Sequence, residues 1–196
     1  MVREFETDWQ QIYFLSYDGT DFRRLTDGHN WNVNIVRVDE KKGDVYFTAK
    51  RDAVAKQALY KTDRKGVTTA LTDTSYNAVG VSFSPDGKYI MIKNEAYMLI
   101  WTREIVDGQY ESVGKTLARL PKKVTAYKRE PQGEAIAWLD STTFYTTSDS
   151  DVNEPIYMYT KKIDDAVENV VVDKDNETVK ILDTNSNMLY IQKNEK

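Results

Sequence analysis

The sequence contains no cysteine, which excludes disulfide bridges and thiolate sites for zinc or iron–sulfur clusters. It contains one histidine, His29, so a metal site built from several histidines is also excluded. No apolar run approaches the roughly 18 residues of a membrane span, and residues 1–8 lack the apolar core of a signal peptide. We therefore expect no cofactor and no membrane span.

Basic residues do not cluster along the chain. The 27 Lys and Arg residues are interspersed with 31 Asp and Glu residues, giving a formal net charge of -4. Proteins that bind nucleic acid need a basic patch or stripe that neutralises phosphates. Nucleic acid is therefore not an expected partner.

Short β-branched and aromatic segments alternate with polar turns along the chain, and 13 tyrosines add to the preference for strands. The turns place glycine where a positive φ is needed, as in Tyr17-Asp18-Gly19-Thr20 and Ser84-Pro85-Asp86-Gly87. This pattern predicts an all-β fold of antiparallel strands. The predicted strands are Gln11–Tyr17, Phe22–Thr26, Val33–Val38, Asp44–Ala49, Ala58–Thr62, Thr68–Leu71, Ala78–Phe83, Lys88–Lys93, Tyr97–Thr102, Lys115–Leu120, Glu134–Leu139, Thr143–Thr147, Pro155–Lys161, Glu168–Val172, Thr178–Leu182 and Met188–Gln192.

An internal repeat groups these strands. The segment from Ile12-Tyr13 to Leu25-Thr26-Asp27 is echoed by Leu59-Tyr60 to Leu71-Thr72-Asp73, about 46 residues later. Four strands in such a period are typical of a β-propeller blade. An incomplete propeller cut from a larger ring and a β-sandwich are the alternatives.

We therefore predict a single propeller-like domain over residues 1–196, with four blades of four antiparallel strands. Three blades cover about 31–73, 76–120 and 131–172. The fourth combines 8–27 with 173–193, so that Met188–Gln192 pairs alongside Gln11–Tyr17 and closes the ring. Closure of this kind removes exposed sheet edges.

Several segments, in order, carry a resemblance to a known family. They are Leu25-Thr26-Asp27-Gly28, Trp31-Asn32-Val33-Asn34-Ile35, Gly43-Asp44-Val45-Tyr46-Phe47-Thr48-Ala49 and Val81-Ser82-Phe83-Ser84-Pro85-Asp86-Gly87-Lys88-Tyr89. Over about residues 12–93 the chain resembles the N-terminal β-propeller of dipeptidyl peptidase IV-type serine peptidases. Phe-Ser-Pro-Asp-Gly-Lys is also similar to TolB-type repeats, and residues 131–160 resemble other secreted bacterial propellers. The resemblance implies a bacterial protein of the periplasm or the extracellular space.

The residues that carry the family's activity do not match. The peptidases bind a substrate amino terminus through paired glutamates after an Asp-Trp, whereas here Gln10-Gln11 follows Asp8-Trp9. The hydrolase domain with its Gly-x-Ser-x-Gly elbow is not present, and Gly80-Val81-Ser82-Phe83-Ser84 lacks the second glycine. We therefore expect a monomeric, non-catalytic module that binds or gates a peptide or protein partner, with no catalytic residues.

Two other functions stay open. A small hydrolase or lyase could use polar groups in a central channel, for which Arg37 and Glu134 are the candidates. Alternatively, the chain could be a recombined or designed propeller fragment with no ligand. Trp31 and Trp138 are expected to head corresponding strands and are further binding candidates, although packing between blades explains them better than sugar stacking.

Calcium is the one metal with any sequence support. Asp149, Asp151 and Asn153 alternate as the first ligands of a calcium loop do. An EF-hand is excluded, because Glu154 stands where the loop needs glycine and Thr160 where it needs glutamate. These residues are weak candidates, and we expect no metal site.

Overall fold

The computed structural model describes residues 2–3, 8–52, 55–74, 77–93, 97–124, 127–130, 133–148, 156–159, 167–173, 178–182 and 188–193. Across these residues the chain is all-β with antiparallel strand pairing and a short helix, which confirms the predicted class. The chain divides into two compact units, residues 1–81 and 82–196.

Unit 1 is built on a four-stranded meander. Consecutive strands β5, β6, β7 and β8 pair in sequence order, and they span most of the segment 31–73 that was predicted to hold four strands. Two smaller pairings, β1 with β2 and β3 with β4, precede it. The strands are β1 (Val2–Arg3), β2 (Gln10–Gln11), β3 (Tyr13–Leu15), β4 (Phe22–Arg24), β5 (Asn30–Asp39), β6 (Asp44–Arg51), β7 (Ala58–Thr62) and β8 (Thr68–Ala70).

The meander is buried on both faces at its centre. On one face of β6, Phe47 and Ala49 are fully buried in a cluster that includes Ile12 and Leu25 from either side of the β3–β4 hairpin. On the opposite face, Thr48 lies opposite Leu59 of β7, and both are buried. A strand that is buried on both faces belongs to a sheet that is covered on both sides.

The hairpin turns have the chemistry that the sequence predicts. Ser16 and Ser84 open two turns of the same design, in which the serine hydroxyl donates to an aspartate two residues later, Asp18 or Asp86. The serine Oγ also accepts the amide of the residue that closes the turn. The glycines at these and three other turns all adopt positive φ, as predicted: Gly19, Gly43, Gly66, Gly87 and Gly108.

Unit 2 contains a seven-stranded antiparallel sheet in the order β20-β19-β18-β14-β11-β10-β9, a three-stranded sheet β15-β16-β17 and the hairpin β12-β13. Met91, Met98 and Phe144 lie at the centre of its core. The elements are β9 (Val81–Phe83), β10 (Tyr89–Lys93), β11 (Met98–Thr102), β12 (Ile105–Val106), β13 (Gln109–Tyr110), α1 (Val113–Leu117), β14 (Lys122–Val124), β15 (Gly133–Trp138), β16 (Phe144–Ser148), β17 (Tyr157–Tyr159), β18 (Val167–Asp173), β19 (Thr178–Leu182) and β20 (Met188–Lys193).

Several strand assignments differ from the prediction. The predicted strand Gln11–Tyr17 is divided into β2 and β3, which pair with β1 and β4 respectively, and β12, β13 and β14 were not predicted. The segment Lys115–Leu120 is wrong as a strand, because its first half lies in α1 and its second half is not a strand. The Ser112 hydroxyl caps that helix by accepting the Lys115 amide at 3.3 Å. The predicted strand Glu168–Val172 exists, but β18 pairs with β14 and β19 and does not extend the sheet of β15–β17. The four-blade ring and the joining of its terminal strands stay predictions.

Candidate functional site

An exposed aromatic side chain and a guanidinium share one face of strand β5 in unit 1. Trp31 pairs with Lys50 and Arg37 pairs with Tyr46. Directly paired residues share a face, and Lys50 and Tyr46 have the same parity along β6, so Trp31 and Arg37 lie on the same side. Trp31 is 60% exposed and Arg37 is half-buried. Their partners are four positions apart along β6, which places Trp31 and Arg37 about 13 Å apart.

Strand β5 is an edge strand of the meander and carries two irregularities. The register shifts once between Trp31 and Asn34 and again between Ile35 and Arg37. In the first bulge, the Val33 amide points away from β6 and donates to Gln10 Oε1 at 2.7 Å. Bulges bend a strand and interrupt its ladder, so they protect an edge against pairing with another chain. The accessible feature of β5 is therefore its side chains.

A buried polar network holds the start of β5. Gln11 Oε1 accepts from the Thr26 hydroxyl at 2.8 Å and from the Asn30 amide at 2.7 Å. Arg51 donates to Asn30 Oδ1 at 2.6 Å, which ties β5 to the end of β6. Gln11, Thr26 and Asn30 are each at most 2% exposed. A buried polar network whose hydrogen bonds are satisfied fixes the positions of the residues that form it. The backbone next to Trp31 is therefore held rigidly.

Three residues with positive φ lie near the starts of β2 and β5 and the end of β6. Asp8, Asn32 and Asp52 have φ values of 59°, 55° and 54°, in the left-handed region that L-residues rarely adopt. The ring of His29 stacks on Trp9 at 4.7 Å between centroids. Strained backbone conformations persist only where the surrounding structure holds them in place, and they are enriched at binding sites.

The sequence model of the dipeptidyl peptidase IV (DPP IV) N-terminal region matches residues 1–99 of this chain. The chain belongs to this family. The resemblance inferred from the sequence is therefore confirmed, and the match covers all of unit 1 and continues through β10. No curated protein matches the chain.

Within the part that matches the DPP IV N-terminal region, Ser82 does not have the setting of a nucleophile. It lies in β9, which is followed by the Ser84–Asp86 turn and then by β10, whereas a nucleophile elbow joins a strand to a helix. Its hydroxyl accepts from Trp138 Nε1 at 2.9 Å. The Ser82 side chain therefore makes a packing contact in unit 2.

The remaining predicted site residues lie beyond the part that matches the DPP IV N-terminal region. Trp138 ends β15, whereas Trp31 is near the start of β5, so the prediction that both head corresponding strands is wrong. Trp138 is partly buried against Phe144, with ring centroids 5.3 Å apart. Glu134 belongs to β15, but its side chain is outside the described residues. The calcium candidates Asp149, Asp151 and Asn153 also lie outside them.

Two kinds of feature are absent from the part of the chain that the structure describes. No helix there is long and apolar enough to cross a membrane. Among the same residues, no group of three or more His, Cys, Asp or Glu side chains could hold a metal ion.

Sequence reasoning missed a fully buried ion pair in unit 2. Lys93 Nζ lies 2.5 Å from Glu130 Oε2, and the two side chains are 0% and 1% exposed. The Tyr127 hydroxyl lies 3.3 Å from the same carboxylate oxygen, and Thr146 donates to the other. One signal was available: Lys93 has the parity of the core residue Met91 in a strand that is otherwise apolar on that face.

Proposed function

We propose that this chain is a non-catalytic, propeller-type module that binds or gates a peptide or protein partner. The observation that carries the proposal is the stripe of Trp31 and Arg37 on one face of the edge strand β5. In a propeller, the first strand of each blade lines the central channel, which is where a passing peptide would meet this stripe.

A blade-like role for the meander is supported by its burial. The four strands pair in sequence order, and Thr48 and Leu59 are buried on the face opposite the Phe47 cluster. A propeller blade is a four-stranded antiparallel sheet with neighbours on both sides. We therefore propose that β5–β8 form one blade, and that the ring described above continues from it.

The stripe favours an extended peptide with two distinct groups. An exposed indole offers a flat surface to proline or aromatic side chains, and a guanidinium binds carboxylates through paired hydrogen bonds. A separation of about 13 Å corresponds to about four residues of extended chain. The bulges oppose pairing of the ligand backbone with β5, so recognition would depend on these side chains.

The absence of peptidase activity is part of the proposal and has its own support. Gln10 and Gln11 stand where the peptidases carry paired glutamates, and both amides are engaged within unit 1. Gln10 satisfies the Val33 amide, and Gln11 is buried at 1% exposure. Neither position supplies the negative charge that would attract a substrate amino terminus.

The test is a selection from a displayed random-peptide library with the purified chain as bait. We expect enriched peptides to pair an acidic residue with a proline or aromatic residue about four positions away. Trp31→Ala and Arg37→Ala should each weaken the selected peptides, whereas Ile105→Ala, at a 68% exposed site in unit 2, should not. Binding that neither substitution changes would contradict the proposal, as would cleavage of Xaa-Pro chromogenic substrates above background.

A further inference from the structure

The β12–β13 hairpin of unit 2 ends in a loop formed by Asp107 and Gly108. Both residues have positive φ, 51° and 75°, as in a type I′ turn. Both are exposed, and a side-chain carbon added at Gly108 would meet nothing within 4 Å. The loop therefore has room for its backbone to rearrange.

An aspartate that precedes a glycine can react with its own chain, because glycine has no side chain to hinder its backbone nitrogen. That nitrogen attacks the side-chain carboxyl carbon of the aspartate. A bond forms between them, and the nitrogen proton leaves with the carboxyl hydroxyl as water, which gives a succinimide ring. Water then opens the ring, and opening at the backbone carbonyl leaves isoaspartate, in which the chain runs through the former side chain. The water released in the first step balances the water consumed in the second, so no other reactant is needed.

The chain contains four aspartate–glycine pairs, and in two of them both reacting groups are hydrogen-bonded. Asp18 Oδ1 accepts from the Ser16 hydroxyl at 2.7 Å, and the Gly19 amide donates to the Ser16 carbonyl at 3.0 Å. The same two bonds join Asp86 and the glycine after it to Ser84, at 2.6 and 2.8 Å. The bond from Ser16 also lowers the pKa of Asp18, which leaves less of the protonated carboxyl group that can lose water. Both pairs must break these bonds before they can react.

The third pair, Asp27 and Gly28, is held mainly through its backbone. The Asp27 carbonyl accepts from Arg51 at 2.5 Å and from the Asn30 side chain at 3.1 Å. The Gly28 carbonyl accepts from the Asn30 amide at 3.1 Å, and the Asp27 carboxylate pairs with Arg24 at 2.8 Å. Ring closure requires rotation of the aspartate backbone carbonyl. These bonds oppose that rotation.

The fourth pair, Asp107 and Gly108, has none of these restraints within the part of the chain that the structure describes. No hydrogen bond or ion pair there engages the Asp107 carboxylate, and the Gly108 amide donates to no group. The side-chain bonds that hold the hairpin are at its base, where the Glu111 amide donates to the Glu104 carbonyl at 2.9 Å and Glu111 Oε1 accepts from the Glu104 amide at 3.1 Å. The tip can therefore rearrange while the base stays in place.

We propose that Asp107–Gly108 is a site of spontaneous modification, at which the folded chain isomerises aspartate to isoaspartate faster than at its other three aspartate–glycine pairs. The change adds a methylene group to the backbone of a loop whose geometry matches the twist of its two strands. It therefore alters how Ile105 and Val106, which are 68% and 45% exposed beside the loop, are presented to solvent. The carboxylate that isoaspartate displays is the chemical group that isoaspartyl methyltransferases recognise.

Peptide mapping tests the proposal, because trypsin places each pair in a different peptide: 4–23, 25–37, 66–88 and 104–115. The folded chain is incubated near neutral pH in water enriched in heavy oxygen, which a succinimide incorporates when it opens, and is then digested in ordinary water. We expect peptide 104–115 to gain label about tenfold faster than the others, since two hydrogen bonds must break at each serine-bonded pair. Equal labelling of the four peptides, faster labelling of another one, or no labelling would overturn the proposal.

Two variants and the unfolded chain show whether the fold sets these rates. Asp107→Glu should abolish labelling of 104–115, because its longer side chain would have to close a larger ring, which is much slower. Ser16→Ala should accelerate labelling at Asp18 and leave Asp107 unchanged, since it removes a bond to the Asp18 carboxylate. In urea the four peptides should gain label at similar rates. If 104–115 kept the same advantage in urea, the local sequence would be the cause and the proposal would be wrong.

Discussion

Glu111 is a single carboxylate that holds several elements of unit 2. Arg119 donates to both of its oxygens, Thr116 donates at 3.0 Å and the Glu104 amide at 3.1 Å. These bonds link the β12–β13 hairpin to α1. Led by Arg119, and against the opposing effect of burial, they lower the pKa of Glu111 from 4.5 to about 2.

This shift predicts a specific loss of stability in acid. A carboxyl whose pKa is lower in the folded state stabilises the fold above its unfolded pKa, 4.5, and that contribution is lost as the pH falls towards about 2. Urea unfolding midpoints should therefore differ between the unmodified chain and Glu111→Gln near neutral pH and converge as the pH drops through this window. Glu104→Gln, at a 63% exposed site 3.8 Å from Arg119, should differ little at any pH. If the difference in unfolding midpoint between Glu111→Gln and the unmodified chain did not change with pH, the charge of Glu111 would not be the cause of the loss of stability.

At the scale of elements, the Lys93–Glu130 pair connects strands of two sheets in unit 2. Lys93 ends β10 in the seven-stranded sheet, and Glu130 also accepts from Thr146 in β16 of the three-stranded sheet. Desolvation of two charges offsets most of their attraction. We therefore expect the pair to select one arrangement of these strands more than it adds net stability.

Substitutions of this pair should be strongly non-additive. Lys93→Met should lower the free energy of unfolding by about 3–5 kcal/mol, because Glu130 is left buried without its cation. The double substitution Lys93→Met with Glu130→Leu should recover most of that loss. Lys61→Met, which removes a partly exposed 3.4 Å pair with Asp44, should cost about 1 kcal/mol or less. Denaturant unfolding of all four proteins measures this, and a double variant no better than Lys93→Met would show that the pair is a net source of stability.

Most strands could be predicted from the sequence, and the exceptions have physical causes. Alternating side chains and turn glycines mark β5 to β8 locally, so both the strands and their order were predictable. Lys115–Leu120 was misassigned because capping by Ser112 and the bonds of Glu111 outweigh strand propensity there.

Candidate side chains were harder to predict than strands. Trp31 and Arg37 could be proposed from composition and repeat position, and their even spacing places them on one face of a strand. The two bulges that shorten the distance between them have no sequence signal. The partners of Lys93 lie far along the chain, at Tyr127 and Glu130, and Thr146 bonds to Glu130 from still farther along. Nothing in the local pattern indicates them, because such contacts are set by tertiary packing.

For the whole molecule, the C-terminal strands supply a direct test of the sheet in unit 2. Deleting residues 178–196 removes β19 and β20 and exposes the edge of β18, which pairs with β19 over four residues. We expect a loss of about 2–4 kcal/mol from the broken strand pairing, together with self-association through the new edge. Deleting only 194–196, beyond β20, is the control. A longer truncation that melts like the full chain and stays monodisperse would contradict the strand order.

The pairing of β14 with β18 also has a consequence for the order in which the chain folds. In unit 1 each strand of the meander meets the next one along the chain, whereas in unit 2 Lys122 must find Asn169. Closing the longer loop costs more conformational entropy before the stabilising contacts between its ends can form. Topologies with sequence-distant contacts therefore fold more slowly. During synthesis the N-terminal meander can complete its strand pairing before the ribosome has added β18. The sheet of unit 2 cannot complete its pairing until β18 has been added. Refolding from denaturant should accordingly show a fast phase from the meander and a slower one from the sheet that incorporates β18.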